Sequence, residues 1–445
     1  MATDALKNIR VRLEKATQKL GPQTVPNWML EYLCDFEDRW SPSITIKVPN
    51  PVNPLERVPK SFKAVRILHR KSGSADIWKG GLRYHPDVSL SQMEGHAIEM
   101  SIKSWIMNLP HGGAKGGVAV NPLELTKDVL EDLTLAFAKR AIDDGKMSPR
   151  KDVMAPDMGT NETIMDWICN FYIDYTGDNI IGEGVITGKS VGNGGICGRK
   201  SATGLGLHLA LQTFLGAKEA HLPKKPTAIV QGFGNVASYF CKFAEEFKIK
   251  IIGVVDQYGG VYCTAGLDVQ KMSEYAESNK FKTVNGFESS LPNCVKVSFD
   301  ELMALGADIF VPAAIEEVIT TTVAAKMNFK VVLEGANGPT LADADEILNQ
   351  RDIKVIPDIY ANAGGVTASY FEWARNTRKN PSNPRIQIPD NNEDSMRAAL
   401  EKMFTANGKE LIQVSKKYGI PYREAGYALA LERVSPYIKA HLRMD

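Results

Sequence analysis

The chain has 445 residues, room for two or three domains at roughly 100–200 residues each. With 44% hydrophobic and 24% charged residues and a formal net charge of +1, it is an ordinary globular composition with no global field for nucleic acid or an anionic membrane. No apolar run approaches the roughly 20 residues that span a bilayer. Its cysteines (Cys34, Cys169, Cys197, Cys241, Cys263 and Cys294) make no CxxC pair, so free thiols in a reducing cytoplasm are expected, not a disulfide framework or a metal site.

The opening MATDALKNIRVRLEK has no apolar signal region and repeats apolar residues at helical spacing (Leu6, Ile9, Leu13, Ala16, Leu20), which predicts an amphipathic helix. The stretch LSQMEGHAIEMSIKSWIM (90–107) is apolar on most faces and predicts a buried helix. A second helix is expected over 128–141, and 177–204 is glycine-rich and loop-like. Beyond it, short β-rich runs recur at 227–233, 249–256, 307–314, 330–337 and 353–358, with helical segments between several of them. That alternation predicts a doubly wound parallel sheet. Residues 377–395, rich in Pro, Asn and charge, read as a surface excursion, and two helical segments close the chain.

AIVQGFGNVASYFCKF (228–243) reads as strand, glycine turn and helix, in the pattern Gly232-x-Gly234-x-x-Ala237. The first glycine allows the turn, the second lets backbone approach a pyrophosphate, and the small third residue lets the helix pack on the strand. The next strand ends at Asp256, 24 residues after Gly232, close to the roughly 20 expected of a ribose-binding acid. GEGVITGKS (182–190) ends like a phosphate-binding P-loop, but Gly182 leaves five residues before the final glycine and Gly184 three, where four are needed. GGICGRKS has Arg199 where that motif needs lysine.

LPHGGAKGGV (109–118) sets Lys115 between two glycine pairs, and WKGGLRYHPDV sets Lys79 before Gly80 and Gly81. Lys103 lies on the apolar helix. Singly, each lysine could snorkel to the surface. Together, beside glycines that let a loop wrap a small ligand, they suggest a cationic cleft for a small polyanion such as a dicarboxylate. Asp157, in MAPDMGTNE, is either a turn or cap residue or a proton shuttle; spacing does not choose.

The blocks KGGLRYHPDV, LPHGGAKGG, APDMGTNE, GFGNVA and NAGGVTASYFEW, in that order from about residue 30 onward, resemble the glutamate dehydrogenases of the Glu/Leu/Phe/Val dehydrogenase superfamily. The resemblance implies reversible oxidative deamination of L-glutamate to 2-oxoglutarate and ammonia with a nicotinamide cofactor. It implies Lys115 as the lysine that activates water and Asp157 as the proton carrier. Lys103 would hold the α-carboxylate, and Lys79 and Ser369 the distal one, which favours glutamate over leucine or phenylalanine. Gly80, Gly81, Asn362 and Val366 would complete the substrate cleft. Arg199, Thr203, Gly232, Gly234, Asn235, Val236, Asp256 and Asn337 fall on cofactor positions. Gln257 and Tyr258 after Asp256 are not basic, which leans toward NAD over NADP.

The implied α/β fold has two domains: an N-terminal substrate and oligomerisation domain (1–195 plus 420–445) and a Rossmann-like dinucleotide-binding domain (196–419). They would close on substrate in a cytoplasmic homohexamer. Alternatives are a dehydrogenase of another amino acid and a non-catalytic cofactor-binding relative. Gln92, His96, His111 and GNGGICGRKSATG depart from the commoner family residues but displace none of those named.

Overall fold

The computed structural model describes residues 5–53, 55–71, 77–219, 221–290, 292–381 and 383–442. Residues 1–4 of the opening segment and Ser382 of the expected surface excursion lie outside the described residues. The chain forms two compact units: Met1–Cys197 with Val366–Met396 and Tyr427–Asp445, and Gly198–Gly365 with Arg397–Gly426.

The first unit is built on strands β1 (Asp38–Trp40), β2 (Ser43–Pro49), β3 (Arg57–Leu68), β4 (Trp78–Tyr84), β5 (Gly112–Val118) and β6 (Asp152–Pro156). They hydrogen-bond in the order β1-β3-β5-β4-β6, with β2 paired to β3. One face carries Leu82, Tyr84 and Val118, which pack with residues of the helices Lys127–Asp143 and Glu162–Thr176 such as Phe137 and Ile168. The opposite face is covered by the helix Leu90–Ile106, the buried helix expected from its composition.

The expected glycine loops around Lys79 and Lys115 are not loops. WKGGLRY is β4 and GGAKGGV is β5, every residue of both buried. The glycines serve close packing rather than a wrap around ligand. A methyl group on Gly113 would overlap the Ser101 amide and the Ala97 carbonyl of the covering helix, and one on Gly80 would overlap the Ala114 carbonyl. Pairing of β4 with β5 runs Lys79↔Gly113 and resumes at Leu82↔Gly116. The carbonyls of Gly80 and Gly81 instead accept from the buried Arg66 guanidinium at 3.3 and 3.0 Å.

The second unit is a sheet of β7 (Thr227–Gln231), β8 (Lys250–Asp256), β9 (Gly259–Tyr262), β10 (Val295–Val297), β11 (Ile309–Pro312), β12 (Val331–Leu333) and β13 (Lys354–Ile356), in the order β10-β9-β8-β7-β11-β12-β13. The five predicted runs supply the parallel strands β7, β8, β11, β12 and β13; β9 and β10 add an antiparallel edge. Its core joins Ile229, Val255, Phe310 and Val332 to Leu302, Met327 and Leu348 from flanking segments.

The units divide differently from the expected 1–195 plus 420–445 and 196–419. Residues 366–396 belong to the first unit because the helix Gly364–Asn376 is tied there. Ser369 bonds Thr187, Glu372 accepts from Gly188 and Lys189, and the Trp373 indole donates to Pro149 O. Residues 420–426 belong to the second, where Arg423 is held by Glu334, Asp345 and Asp358 at 2.6–3.2 Å. Among the described residues no helix is long and apolar enough to cross a membrane, all six cysteines are free, and no His/Cys/Asp/Glu cluster of metal-binding size occurs.

Candidate active site

In the first unit, strand alternation decides which side chains meet. Positions 79, 81 and 83 of β4 and 113, 115 and 117 of β5 face the side covered by the helix Leu90–Ile106. Lys79 and Lys115 therefore project from one face, and Lys103 belongs to the helix laid over it; all three are at most 5% exposed.

Asp157 immediately follows β6. Its Oδ2 is ion-paired with Lys115 Nζ. Its Oδ1 accepts from Arg83 Nε at 2.9 Å and from the Met158 amide at 2.7 Å. The Asp157 amide donates to Thr160 Oγ1 at 2.8 Å, and that hydroxyl donates to Leu82 O at 2.9 Å, which locks the turn onto β4. Burial pushes the Asp157 carboxyl up, but the charges of Lys115 and Arg83 and the hydrogen bonds from Lys115 and Met158 outweigh it and hold the group well below the usual carboxylate range. A methyl group on Gly81 would collide with this carboxylate, so that glycine makes room for the acid.

A second cluster surrounds Lys79. Its Nζ donates to Thr187 Oγ1, which lies 2.7 Å from Ser369 Oγ. Thr187 and Ser369 contribute hydroxyls, not counter-charge. Ser369 does not bond back to its own helical turn, as an isolated helical serine would. Val366 is half-buried, three residues before Ser369 and so on the same side of that helix. Beneath the cluster Lys189 and Glu372 form a fully buried ion pair at 2.9 Å, and Glu372 also accepts from the Gly188 amide at 2.9 Å. The lysine of the P-loop look-alike is therefore a structural partner of Glu372, in keeping with the failed spacing. His111 stacks on Tyr370 at 5.8 Å, and burial lowers its imidazole to about 3, so it is a neutral ring at physiological pH.

In the second unit, Gly232 follows β7 with φ of 92°, a conformation that favours glycine. Gly234 caps the helix Asn235–Phe243, and nothing lies within 4 Å of the place its Cβ would occupy. Gly234 and Asn235 are exposed and Val236 half-buried, while Ala237 is fully buried against the sheet. An open cradle at a helix N-terminus suits a pyrophosphate. Asn235 is steadied by its Nδ2 bond to Lys200 O at 2.9 Å. Asp256 ends β8, its Oδ2 accepting from Thr283 Oγ1 at 2.6 Å and the Val284 amide at 2.9 Å, its Oδ1 from the Tyr258 amide at 2.8 Å. A carboxylate oxygen accepts about two hydrogen bonds, so Oδ1 keeps capacity for a ribose hydroxyl. Asn362 Nδ2 donates to Asn337 Oδ1 at 3.0 Å and to the carbonyls of Gly335 and Ala336 at 3.2 Å. Its Oδ1 is buried with no partner among the described residues, an acceptor still open to a ligand donor. Arg199 precedes the helix Ala202–Gly216, and Thr203 lies in its first turn, its Oγ1 against Gly365. The glycine cradle, the strand-end acid and the open Asn362 acceptor fit a dinucleotide.

The structure thus joins Lys115 to Asp157 and Lys79 to Ser369, and Asn337 to Asn362. It also adds residues that sequence reasoning missed. Arg83 is recoverable in hindsight, two steps beyond Gly81 on the same strand face. Thr187 carries no local signal; only folding sets it between Lys79 and Ser369. Arg66 and Asp152 form a buried pair at 2.5 Å that supports β4 and β6.

Comparison with known proteins agrees with this arrangement. Residues 194–441 match the family Glutamate/Leucine/Phenylalanine/Valine dehydrogenase, and 42–174 match the Glu/Leu/Phe/Val dehydrogenase dimerisation domain. The chain is 39% identical to a glutamate dehydrogenase of Thermotoga maritima, over 84% of this chain and 85% of that one. It is 35% identical to a cryptic catabolic NAD-specific glutamate dehydrogenase of Bacillus subtilis, over 97% and 94%. An NADP-specific glutamate dehydrogenase of Saccharolobus shibatae is 38% identical over 86% and 85%. Among solved structures, a hetero-hexameric glutamate dehydrogenase from Thermus thermophilus superposes with a TM-score of 0.84 at 28% identity, covering 99% of this chain and 97% of that one. On these matches and this fold, the chain belongs to the Glu/Leu/Phe/Val dehydrogenase family.

Proposed function

We propose that this chain is a glutamate dehydrogenase, catalysing the reversible oxidative deamination of L-glutamate to 2-oxoglutarate and ammonia. The observation that carries the substrate assignment is Lys79. A buried ammonium set among the hydroxyls of Thr187 and Ser369 suits the distal carboxylate of a dicarboxylic amino acid and gives an aliphatic side chain nothing to pair with. Lys103 is the partner of the α-carboxylate and Val366 lines the substrate site on the side of Ser369, while Gly81 leaves the room that Asp157 occupies.

Asp157 and Lys115 carry the proton chemistry. Asp157 takes a proton from the substrate nitrogen and returns it in the reverse direction. Lys115, once it has released its own proton and stands as the free amine beside that carboxylate, takes a proton from the water that attacks the substrate iminium carbon. Arg83 positions Asp157 by holding its other oxygen. The nicotinamide cofactor supplies the hydride acceptor in deamination and the donor in the reverse reaction. Gly232, Gly234 and Val236 would hold its phosphates, Asp256 the adenosine ribose, and Arg199, Thr203, Asn235 and Asn337 the nicotinamide and its ribose.

NAD is the favoured cofactor, because Asp256 would repel a 2′-phosphate and Gln257 and Tyr258 bring no cation. NADP use has one observation in its favour. Thr283 bonds Asp256, so the exposed Lys282 beside it in the chain stands near that acid, which sequence order concealed. We further read the enzyme as cytoplasmic, a compartment that its free thiols suit. It is read as a homohexamer; the hetero-hexameric Thermus thermophilus relative supports a six-subunit assembly.

The test is absorbance of the reduced nicotinamide, with 2-oxoglutarate and ammonium present and NADH or NADPH in separate cuvettes. Oxidation in either cuvette is expected, faster with NADH. Turnover only with other 2-oxo acids would replace glutamate as substrate, and no turnover by folded protein would favour a non-catalytic relative. Light scattering should give six copies of the 48.9 kDa chain.

A further inference from the structure

The edge of the second sheet brings two cysteines face to face. Strands β9 and β10 are antiparallel in the register Gly260↔Val297, Val261↔Lys296 and Tyr262↔Val295. One further step along that ladder sets Cys263 opposite Cys294. The Cys263 amide donates to Ile252 O on β8 at 2.8 Å, so its peptide group faces away from β10. A pair of this kind is a non-hydrogen-bonded one, whose Cα atoms stand about 4.5 Å apart with side chains close. That separation falls within the roughly 4.4–6.8 Å that a disulfide spans. Cys263 Sγ lies 3.9 Å from Asn293 O, the residue beside Cys294, and the Cys263 thiol acts with burial to raise the Cys294 thiol. Cys263 is buried and Cys294 half-buried, which leaves one sulfur open to a small reagent.

We propose that Cys263 and Cys294 are a redox modification site, closing to a reversible cross-strand disulfide when the protein meets a low-molecular-weight disulfide such as oxidised glutathione. One cysteine, as thiolate after losing its proton to solvent, attacks the reagent. A protein–glutathione disulfide forms, the reagent's S–S bond breaks, and one glutathione thiolate leaves and is protonated. The second cysteine then loses its proton and attacks the first sulfur, expelling the second glutathione thiolate. Two protein thiols are oxidised by two electrons and one oxidised glutathione is reduced to two thiols. The closed loop contains Thr283 and Val284, the donors that hold Asp256, so the bond ties down the segment supporting that acid. Burial raises the Cys294 thiol, so exchange needs excess reagent and hours rather than seconds.

The full-length protein is incubated with oxidised glutathione, denatured, alkylated and digested without reduction, and its peptides are weighed. A linked pair carrying Cys263 and Cys294, two hydrogens lighter than the free peptides and released by dithiothreitol, is expected. In C294S the pair must vanish while Cys263 is recovered alkylated or as its glutathione adduct. Recovery of both cysteines as separate alkylated or glutathionylated peptides from wild-type protein that circular dichroism shows to be folded overturns the proposal, as does linkage of either one to a different cysteine.

Discussion

Replacement of Lys79 by leucine separates the substrate assignment from the chemistry. The variant removes an ammonium that is 3% exposed and keeps the neighbouring hydroxyls paired, since Thr187 still bonds Ser369 at 2.7 Å and Met154 O at 3.2 Å. The Thr187 and Ser369 hydroxyls are not orphaned by the change, and thermal unfolding of the variant checks the fold directly. The loss falls on the substrate, whose distal carboxylate must enter this site without its counter-charge. Breaking one side of a buried ion pair costs about 3–5 kcal/mol. At about 1.36 kcal/mol per tenfold, that is roughly a 160- to 5,000-fold fall in kcat/KM for glutamate. Norvaline has no distal carboxylate and should be used as well as before or better. Initial rates of cofactor reduction with both amino acids measure the ratio. A variant that keeps the wild-type preference for glutamate over norvaline, with unchanged thermal unfolding, would remove Lys79 from the recognition of the distal carboxylate.

Other outcomes follow from the same geometry. Lys115→Ala should abolish turnover while cofactor still binds, as followed by quenching of protein fluorescence; near-normal activity would remove Lys115 from the mechanism. Asp157→Asn should lower kcat at least about 100-fold through loss of proton transfer. It should also change acid stability. The carboxyl is held below its unfolded value of about 3.9, so its contribution is present above that pH and is lost as pH falls through the folded value. Urea unfolding of Asp157→Asn should thus depend less steeply on pH below about 4 than wild type, and equal slopes would count against the Lys115–Asp157–Arg83 cluster. Gly113→Ala should cost about 1–3 kcal/mol or more, because the new methyl meets helix backbone at Ala97 and Ser101. Gly192→Ala, with nothing within 4 Å, should stay within about 0.5 kcal/mol by the same thermal melt.

Elements whose pattern is local are legible in the sequence alone. The Leu90–Ile106 helix, the five parallel strands of the second unit and the Gly232 turn follow from apolar periodicity and from glycine's tolerance of positive φ, which act over a few residues. The resemblance carried by five motif blocks likewise marked Lys79, Lys103, Lys115 and Asp157 before any geometry was available. What those residues touch depends on how distant segments fold together. Lys115 and Asp157 lie 42 positions apart and meet because β4 stands between β5 and β6. Thr187 and Ser369 lie 182 apart and meet because the helix Gly364–Asn376 packs in the first unit, against the expected boundary. The glycine pairs looked like loops because four glycines have no strand propensity of their own. They are strands because both faces are so closely covered by helix and neighbouring strands that a Cβ would not fit. Propensity is a property of the residue and its neighbours in sequence, whereas the space left for a side chain is set by what folds on top of it.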